Sequence, residues 1–325
     1  MVDPAWVARS PPRGPGGKLT AGVDAMRRVF RETVAPGAFP EPPPLSEREF
    51  LTVQRLLYRE SGIWLSSAKK ALVVGRLSRR LRELKSPSFS AYLQRVEADG
   101  LERVRMLDAL CTHETHFFRE PRHFDFLARD VLPRWRAQGR TEGDDGRRVR
   151  VWSAGCSTGE EPFSLAMVLR HHLPLSEGWD VDILATDLST RILEQARQTR
   201  FPLDKAREIP TPYLRAYMLK GMGPQEGWMK AGPELRGLVR FQRVNLNDFH
   251  GVAGRFDLVF CRNVLIYFDQ ESRARAVERL LGHLAPAGLL FLGHSESLVG
   301  FGSRMRAVIP TVYAQRAPAD GGPAR

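Results

Sequence analysis

Val149-Arg-Val-Trp-Ser-Ala-Gly-Cys-Ser-Thr-Gly-Glu-Glu-Pro162 is the stretch whose reading decides the fold. Its first five residues read as a strand, a glycine-containing turn follows, and residues 161–172 continue at helical spacing. Strand, turn and helix in that order open a doubly wound α/β sheet. Glycines at 155 and 159 let the backbone approach a ligand closely at the carboxyl edge, where such sheets bind cofactors. No Lys-Ser/Thr follows the turn, so it is not a phosphate-cradling loop, and two glycines four apart miss the dinucleotide fingerprint.

The carboxylates narrow the ligand further. Glu160 and Glu161 open the helix where a pyrophosphate would sit, and would repel it strongly at low effective dielectric. The same placement suits a sulfonium and an α-ammonium group, with Glu161 accepting hydrogen bonds from the amine. The next strand ends in Ala185-Thr-Asp187, which puts an acid where a ribose diol needs a bidentate acceptor. Together these features favour S-adenosylmethionine over a phosphorylated cofactor. The competing reading, two acids complementing a helix N-terminus for about 0.3–1 kcal/mol, leaves Asp187 without a role.

Outward from this stretch, strand and helix keep alternating. Strands are expected at 181–186, 256–261 and 288–292, helices at 189–199 and 270–284, and a closing hairpin at 306–309 and 311–314. This pattern implies a mostly parallel sheet. A glycine-rich stretch at about 213–245 interrupts it and reads as a small antiparallel β insert. Upstream, residues 46–105 read as a small all-α domain. Ser46 and Glu49 form a capping-box pattern, and further helices are expected at 66–85, 88–97 and 101–113. Residues 1–45 hold nine of the 23 prolines and read as a tail without a core, with one short helix at 23–33; 318–325 is a second tail. The α/β domain therefore spans 106–317.

The 325 residues carry a net charge of +12, which raises a nucleic-acid hypothesis. Divided by segment, the tail holds +2, residues 46–105 hold +6 and the remaining 220 residues only +4. Half of the excess lies in 60 residues, much of it on one helix. No apolar run reaches the roughly 18 residues of a membrane span, and the N-terminus lacks a secretory pattern, so a cytoplasmic protein without membrane insertion is expected. Cys111, Cys156 and Cys261 are too scattered for a disulfide framework or a metal cluster, and no metal is expected.

Four stretches now stand in order: Thr112-His-Glu-Thr-His-Phe-Phe-Arg-Glu120, Trp152 to Pro162, Phe260-Cys-Arg-Asn-Val-Leu-Ile-Tyr-Phe268 and Gly293-His-Ser-Glu296. The set resembles the CheR family of chemotaxis receptor glutamate methyltransferases. The resemblance covers about residues 45–315. It implies methyl transfer from S-adenosylmethionine to glutamates of chemoreceptor cytoplasmic helices, giving γ-methyl esters and leaving S-adenosylhomocysteine. By position it implies cofactor contacts at His113, Thr115, Arg119, Glu161, Asp187, Asn245, Leu246, Arg262 and Asn263, with Arg119 and Tyr267 at the transferred methyl. His113 stands where the family has asparagine. The basic helix, with Lys69, Arg76, Arg79 and Arg80, is implied as the surface that docks on acidic receptor helices. Lys220-Gly-Met-Gly-Pro-Gln-Glu-Gly227 has the glycine spacing of the family's loop for a receptor C-terminal peptide, with lysine in place of arginine. A monomer is expected.

Two rival functions are set against this one. A nucleic-acid methyltransferase is prompted by the charge, but 262–267 reads Arg-Asn-Val-Leu-Ile-Tyr, without the Asn/Asp-Pro-Pro-aromatic motif of amino-group methylation. A non-catalytic cofactor-binding module is opposed by the presence of both Arg119 and Tyr267. Phe117 and Phe118 read as core, Cys156 and Cys261 as small buried residues, and His294 as a loop stabiliser.

Overall fold

Ser46 and Glu49 cap one another: the Glu49 N–H donates to Ser46 Oγ at 3.3 Å, and the Ser46 N–H donates to Glu49 Oε2 at 2.8 Å. This pair starts α1 (Glu47–Ser61), which Gly62 ends in the left-handed conformation at φ +74°. With α2 (Lys70–Glu83), α3 (Phe89–Ala98) and α4 (Gly100–Leu110) it forms a helical layer. Phe50, Leu57, Leu77, Phe89, Tyr92 and Met106 fill its core. The computed structural model describes residues 6–8, 44–139, 147–248, 251–298, 300 and 304–316. Most of the proline-rich stretch, the helix expected at 23–33 and the 318–325 tail lie outside the described residues.

The fourth helix stops at Leu110, three residues before the expected end. Arg76 supplies the reason: its guanidinium donates to the carbonyls of Leu110 and Cys111 and to Thr112 Oγ1. The fork satisfies helix-end carbonyls that would otherwise need another turn. Residues 112–116 consequently run without helix toward the sheet, and α5 (Pro121–Phe126) and α6 (Leu132–Gln138) come before its first strand.

Among the described residues, the sheet that follows has seven strands in the order β10-β11-β9-β8-β2-β3-β7. They are β2 (Arg148–Ala154), β3 (Asp180–Asp187), β7 (Val239–Arg243), β8 (Phe256–Cys261), β9 (Leu284–Leu292), β10 (Met305–Ile309) and β11 (Val312–Gln315). The strands from β9 to β7 pair in parallel, while β11 and β10 add antiparallel at one edge. Alternate residues feed two cores. Val149, Val151, Ile183 and Phe260 pack with Phe163 of α7 (Glu160–His172) on one face. Trp152, Leu184, Val259 and Leu290 pack on the other with Leu280, from a helix at Gln270–Gly282. This is the expected doubly wound sheet behind an all-α layer.

The small antiparallel sheet differs from its expected limits. It comprises β4 (Arg200–Pro202), β5 (Met218–Gly221), β6 (Trp228–Ala231) and β1 (Trp6–Ala8), in the order β1-β5-β6-β4. It begins at Arg200 rather than near 213. Val239–Arg243, assigned from sequence to the insert, pairs in parallel with β3 as an edge of the main sheet. β1 comes from the proline-rich stretch and lies antiparallel on β5, Trp6 opposite Gly221 and Ala8 opposite Leu219.

Candidate active site

The helical layer meets the carboxyl edge of the sheet through a few specific bonds. The Trp64 N–H donates to the Tyr267 carbonyl at 2.8 Å, Ile63 bridges Phe268, and Tyr58 Oη donates to Asp269 Oδ2 at 3.0 Å. Between layer and sheet lies a cleft with roughly 1200 Å³ of empty space, part of it open to solvent. His113, Thr115, Arg119, Glu161, Asp187, Asn245, Leu246, Arg262, Asn263 and Tyr267 all line it, as do Lys69 and Arg76. Residues spread over 199 positions of sequence thus share one cavity, while Arg79 and Arg80 stay outside its lining.

The turn after β2 builds one wall. Gly155 (φ +86°) and Gly159 (φ +101°) hold left-handed conformations that a side chain would strain. A Cβ on Gly155 would stand 2.5 Å from Val264 Cγ2, so the turn closes only on glycine. The Gly155 and Cys156 N–H groups both donate to the Thr186 carbonyl at 2.8 Å, locking the turn to the end of β3. Asp187 accepts from the Ser157 N–H and the Ser189 N–H, each at 3.0 Å. Each carboxylate oxygen retains lone-pair capacity toward the cleft. Burial raises the Asp187 pKa against the opposing pull of those amides and of nearby His113.

The two acids at the start of α7 part company. Glu160 is buried on an ion pair with Lys205 and accepts from Thr158 Oγ1 at 2.6 Å, so it does not face the ligand as the sequence reading had it. Glu161 does line the cleft. It accepts from Ser153 Oγ at 2.7 Å and lies 3.3 Å from Arg262 Nη1. Burial raises its pKa, with Arg262 and Ser153 acting against that rise.

Arg262, its side chain only 1% exposed, is the hub of the floor. It pairs with Glu120 at 3.3 Å and Glu161 at 3.3 Å and donates to the Arg119 carbonyl. Asn263 follows in the left-handed region at φ +58°. Glu296 holds that loop, accepting from the N–H groups of Asn263, Val264, Ile266 and Gly293 at 2.7–3.2 Å. Sequence reasoning passed over Glu296 and Glu120, although both sat at the end of quoted motifs. Cys111, the cysteine in the cleft lining, has its thiol pushed up to about 12 by burial, and Cys156 and Cys261 are buried with thiols pushed far up by desolvation, so none of the three is an activated nucleophile.

Residues 113–313 match the family described as "CheR methyltransferase, SAM binding domain", and residues 48–111 match "CheR methyltransferase, all-alpha domain". The chain belongs to the CheR methyltransferase family. It is 40% identical over 270 residues to "Chemotaxis protein methyltransferase 2" of Pseudomonas aeruginosa, covering 83% of this chain and 93% of that one. It is 38% identical over 274 residues to "Chemotaxis protein methyltransferase" of Salmonella typhimurium, with 83% and 91% covered. The relative of the same name in Escherichia coli is also 38% identical over 274 residues.

A CheR cofactor, S-adenosylmethionine, fits the chemistry of the cleft. Glu161 and Asp187 are half-buried carboxylates suited to an ammonium and a diol, and His113 Nε2 and Asn263 Oδ1 are buried atoms without a hydrogen-bond partner. In this CheR chain the basic helix is less free than its sequence suggested. Arg76 is tied to the end of α4, and Arg80 donates from Nε to Glu102 Oε1 at 2.7 Å, beside a carboxylate that is 0% exposed. Arg79, 84% exposed, pairs only along its own helix with Glu83, and Lys69 stands 5.6 Å over the Tyr267 ring.

Proposed function

We propose that this CheR methyltransferase transfers the methyl group of S-adenosylmethionine to glutamate side chains on chemoreceptor cytoplasmic helices, forming γ-methyl esters. The observation that carries this reading is one cleft lined by the half-buried carboxylates Glu161 and Asp187, which suit a cationic cofactor, and by Arg119, Lys69 and Arg76, whose positive charge suits an anionic acceptor. The cofactor, when bound, supplies a methyl carbon already activated by its sulfonium. The chain's residues then have three tasks. Glu161, oriented by Ser153 and Arg262, receives the amino-acid end, and Asp187, His113, Asn245 and Leu246 receive the nucleoside end. Thr115, Arg262 and Asn263 complete the wall.

Arg119 donates from Nη1 to the Glu114 carbonyl at 3.0 Å, which leaves its remaining donors for an acceptor carboxylate. Tyr267 flanks the same space. Glutamate ionises near a pKa of about 4.3, so the acceptor needs no general base. Alignment and water exclusion supply the acceleration, up to about 7–11 kcal/mol in favourable systems. Docking on receptor helices falls to Lys69 and Arg79, and the Gly221–Gly227 segment is the candidate contact for a receptor C-terminal peptide.

The test uses the purified full chain with methyl-labelled cofactor and a receptor cytoplasmic domain. Label released as methanol by mild alkali is expected, with Arg119→Ala lowering turnover at least 100-fold while thermal unfolding stays unchanged. Alkali-stable label on protein, or label on RNA, overturns the ester assignment. Cofactor binding without any transfer overturns the enzymatic one.

A further inference from the structure

Beside the cleft, outside its lining, Glu120, His123 and His294 bring three potential ligand atoms within 4.8 Å of one another. Glu120 and His123 stand at the start of a helix at Pro121–Phe126, and His294 lies in the loop after β9. The hydrogen bonds around His123 favour one tautomer. Thr311 Oγ1 donates its only proton to the Pro310 carbonyl at 2.7 Å, so at 2.9 Å from His123 Nε2 it accepts. Nε2 therefore carries the ring proton, and Nδ1 holds a bare lone pair.

That lone pair is enclosed. The His123 side chain is 1% exposed, Nδ1 has no hydrogen-bond partner, and it faces Glu120 Oε2 at 3.5 Å. Two acceptors aimed at each other repel unless a proton or a cation lies between them. His294 Nε2 stands 3.9 Å from the same Glu120 oxygen, on a side chain 57% exposed that gives access from solvent.

We infer that Glu120 Oε2, His123 Nδ1 and His294 Nε2 form a binding site for a divalent transition-metal ion of the zinc type. Two imidazoles and one carboxylate are an established donor set for zinc, at bonds of about 2.0–2.2 Å. Tetrahedral ligands at those lengths lie about 3.3–3.5 Å apart, close to the 3.5 Å and 3.9 Å spacings present. The exposed His294 covers the remainder by a rotamer adjustment, and a fourth position stays open to water. The Thr311–His123 bond is the outer-shell contact that orients a ligating imidazole. Such an ion ties the start of the Pro121 helix to the loop that Glu296 holds.

The experiment titrates the chelator-stripped full chain with zinc chloride alone in a calorimeter, and with cobalt(II) followed by visible absorption. One equivalent at micromolar affinity and ligand-field bands near 500–650 nm, on the order expected for low-coordinate cobalt, are the expected results. His294→Ala, a change at an exposed side chain, should weaken zinc at least tenfold and abolish the cobalt bands. Changing both His171 and His172 to alanine should leave both signals intact. Absence of binding, full affinity in His294→Ala, or loss confined to the His171/His172 variant each overturns the site.

Discussion

Arg262 Nη1 lies 3.3 Å from Glu161 Oε2, joining the loop after β8 to the first turn of α7. The same guanidinium holds Glu120 beside the cleft, so one buried cation keeps two carboxylates in place. Removing it leaves both acids buried without compensation. Arg262→Met should therefore lower unfolding stability by about 3–5 kcal/mol, read from urea denaturation. Adding Glu161→Gln should restore part of that loss. A single variant less than about 1 kcal/mol below the parent would mean water already compensates these acids.

Acidification separates stability from binding. Burial raises the pKa of Glu161 and of Asp187, so the folded chain holds these protons more tightly than the unfolded one. Their contribution to stability is then greatest below the ordinary carboxylate pKa of about 4 and is lost as pH rises through the raised folded values. Binding of a cationic cofactor runs the other way, because it needs the ionised acids. S-adenosylhomocysteine affinity, measured by calorimetry, should fall on acidification at a pH above the usual carboxylate range. Glu161→Gln should bind weakly and lose much of that dependence. Constant affinity between pH 7 and 4.5 would contradict the assignment.

The basic helix should divide into two kinds of arginine. Arg80→Ala strands Glu102, which is 0% exposed, and should cost on the order of 3 kcal/mol of stability. Arg79→Glu changes an exposed side chain and should leave stability within about 0.5 kcal/mol. It should raise the KM for a receptor domain several-fold, with the effect shrinking at high salt. A chain in which Arg79→Glu methylates receptor normally at low salt would exclude this face from docking.

Trp6–Ala8 occupies the β5 edge that an added peptide strand would otherwise use. A receptor C-terminal peptide pairing there must displace it. Deleting residues 1–8 should tighten peptide binding by fluorescence anisotropy at least threefold while leaving cofactor affinity unchanged. Equal peptide affinity in both chains would place any tether elsewhere, the β4 edge being the other outer strand beside β1.

Much of the fold was legible because its signals are local. The capping box at Ser46 and Glu49, the glycine turn at 155–159 and the period-two strands depend on near neighbours in sequence. β7 was misassigned to the insert because nothing within Val239-Arg-Phe-Gln-Arg243 announces a partner 56 residues upstream. At the site, residue types and order marked Glu161 and Asp187, while Glu296 went unseen because its four amide partners converge only when two loops meet.

The sequence by itself determined the order of strands and helices, the turn that only glycine permits, and the family. It could not say which charges are free. Glu160 lies next to Glu161, yet one pairs with Lys205 and the other lines the cleft. Arg76, Arg79 and Arg80 share one helix, yet only Arg79 is mostly open to solvent. Hydrogen bonds act over about 3 Å and ion pairs weaken steeply once water intervenes. A charge's availability is therefore decided by what folding brings beside it, and only the tertiary structure records that.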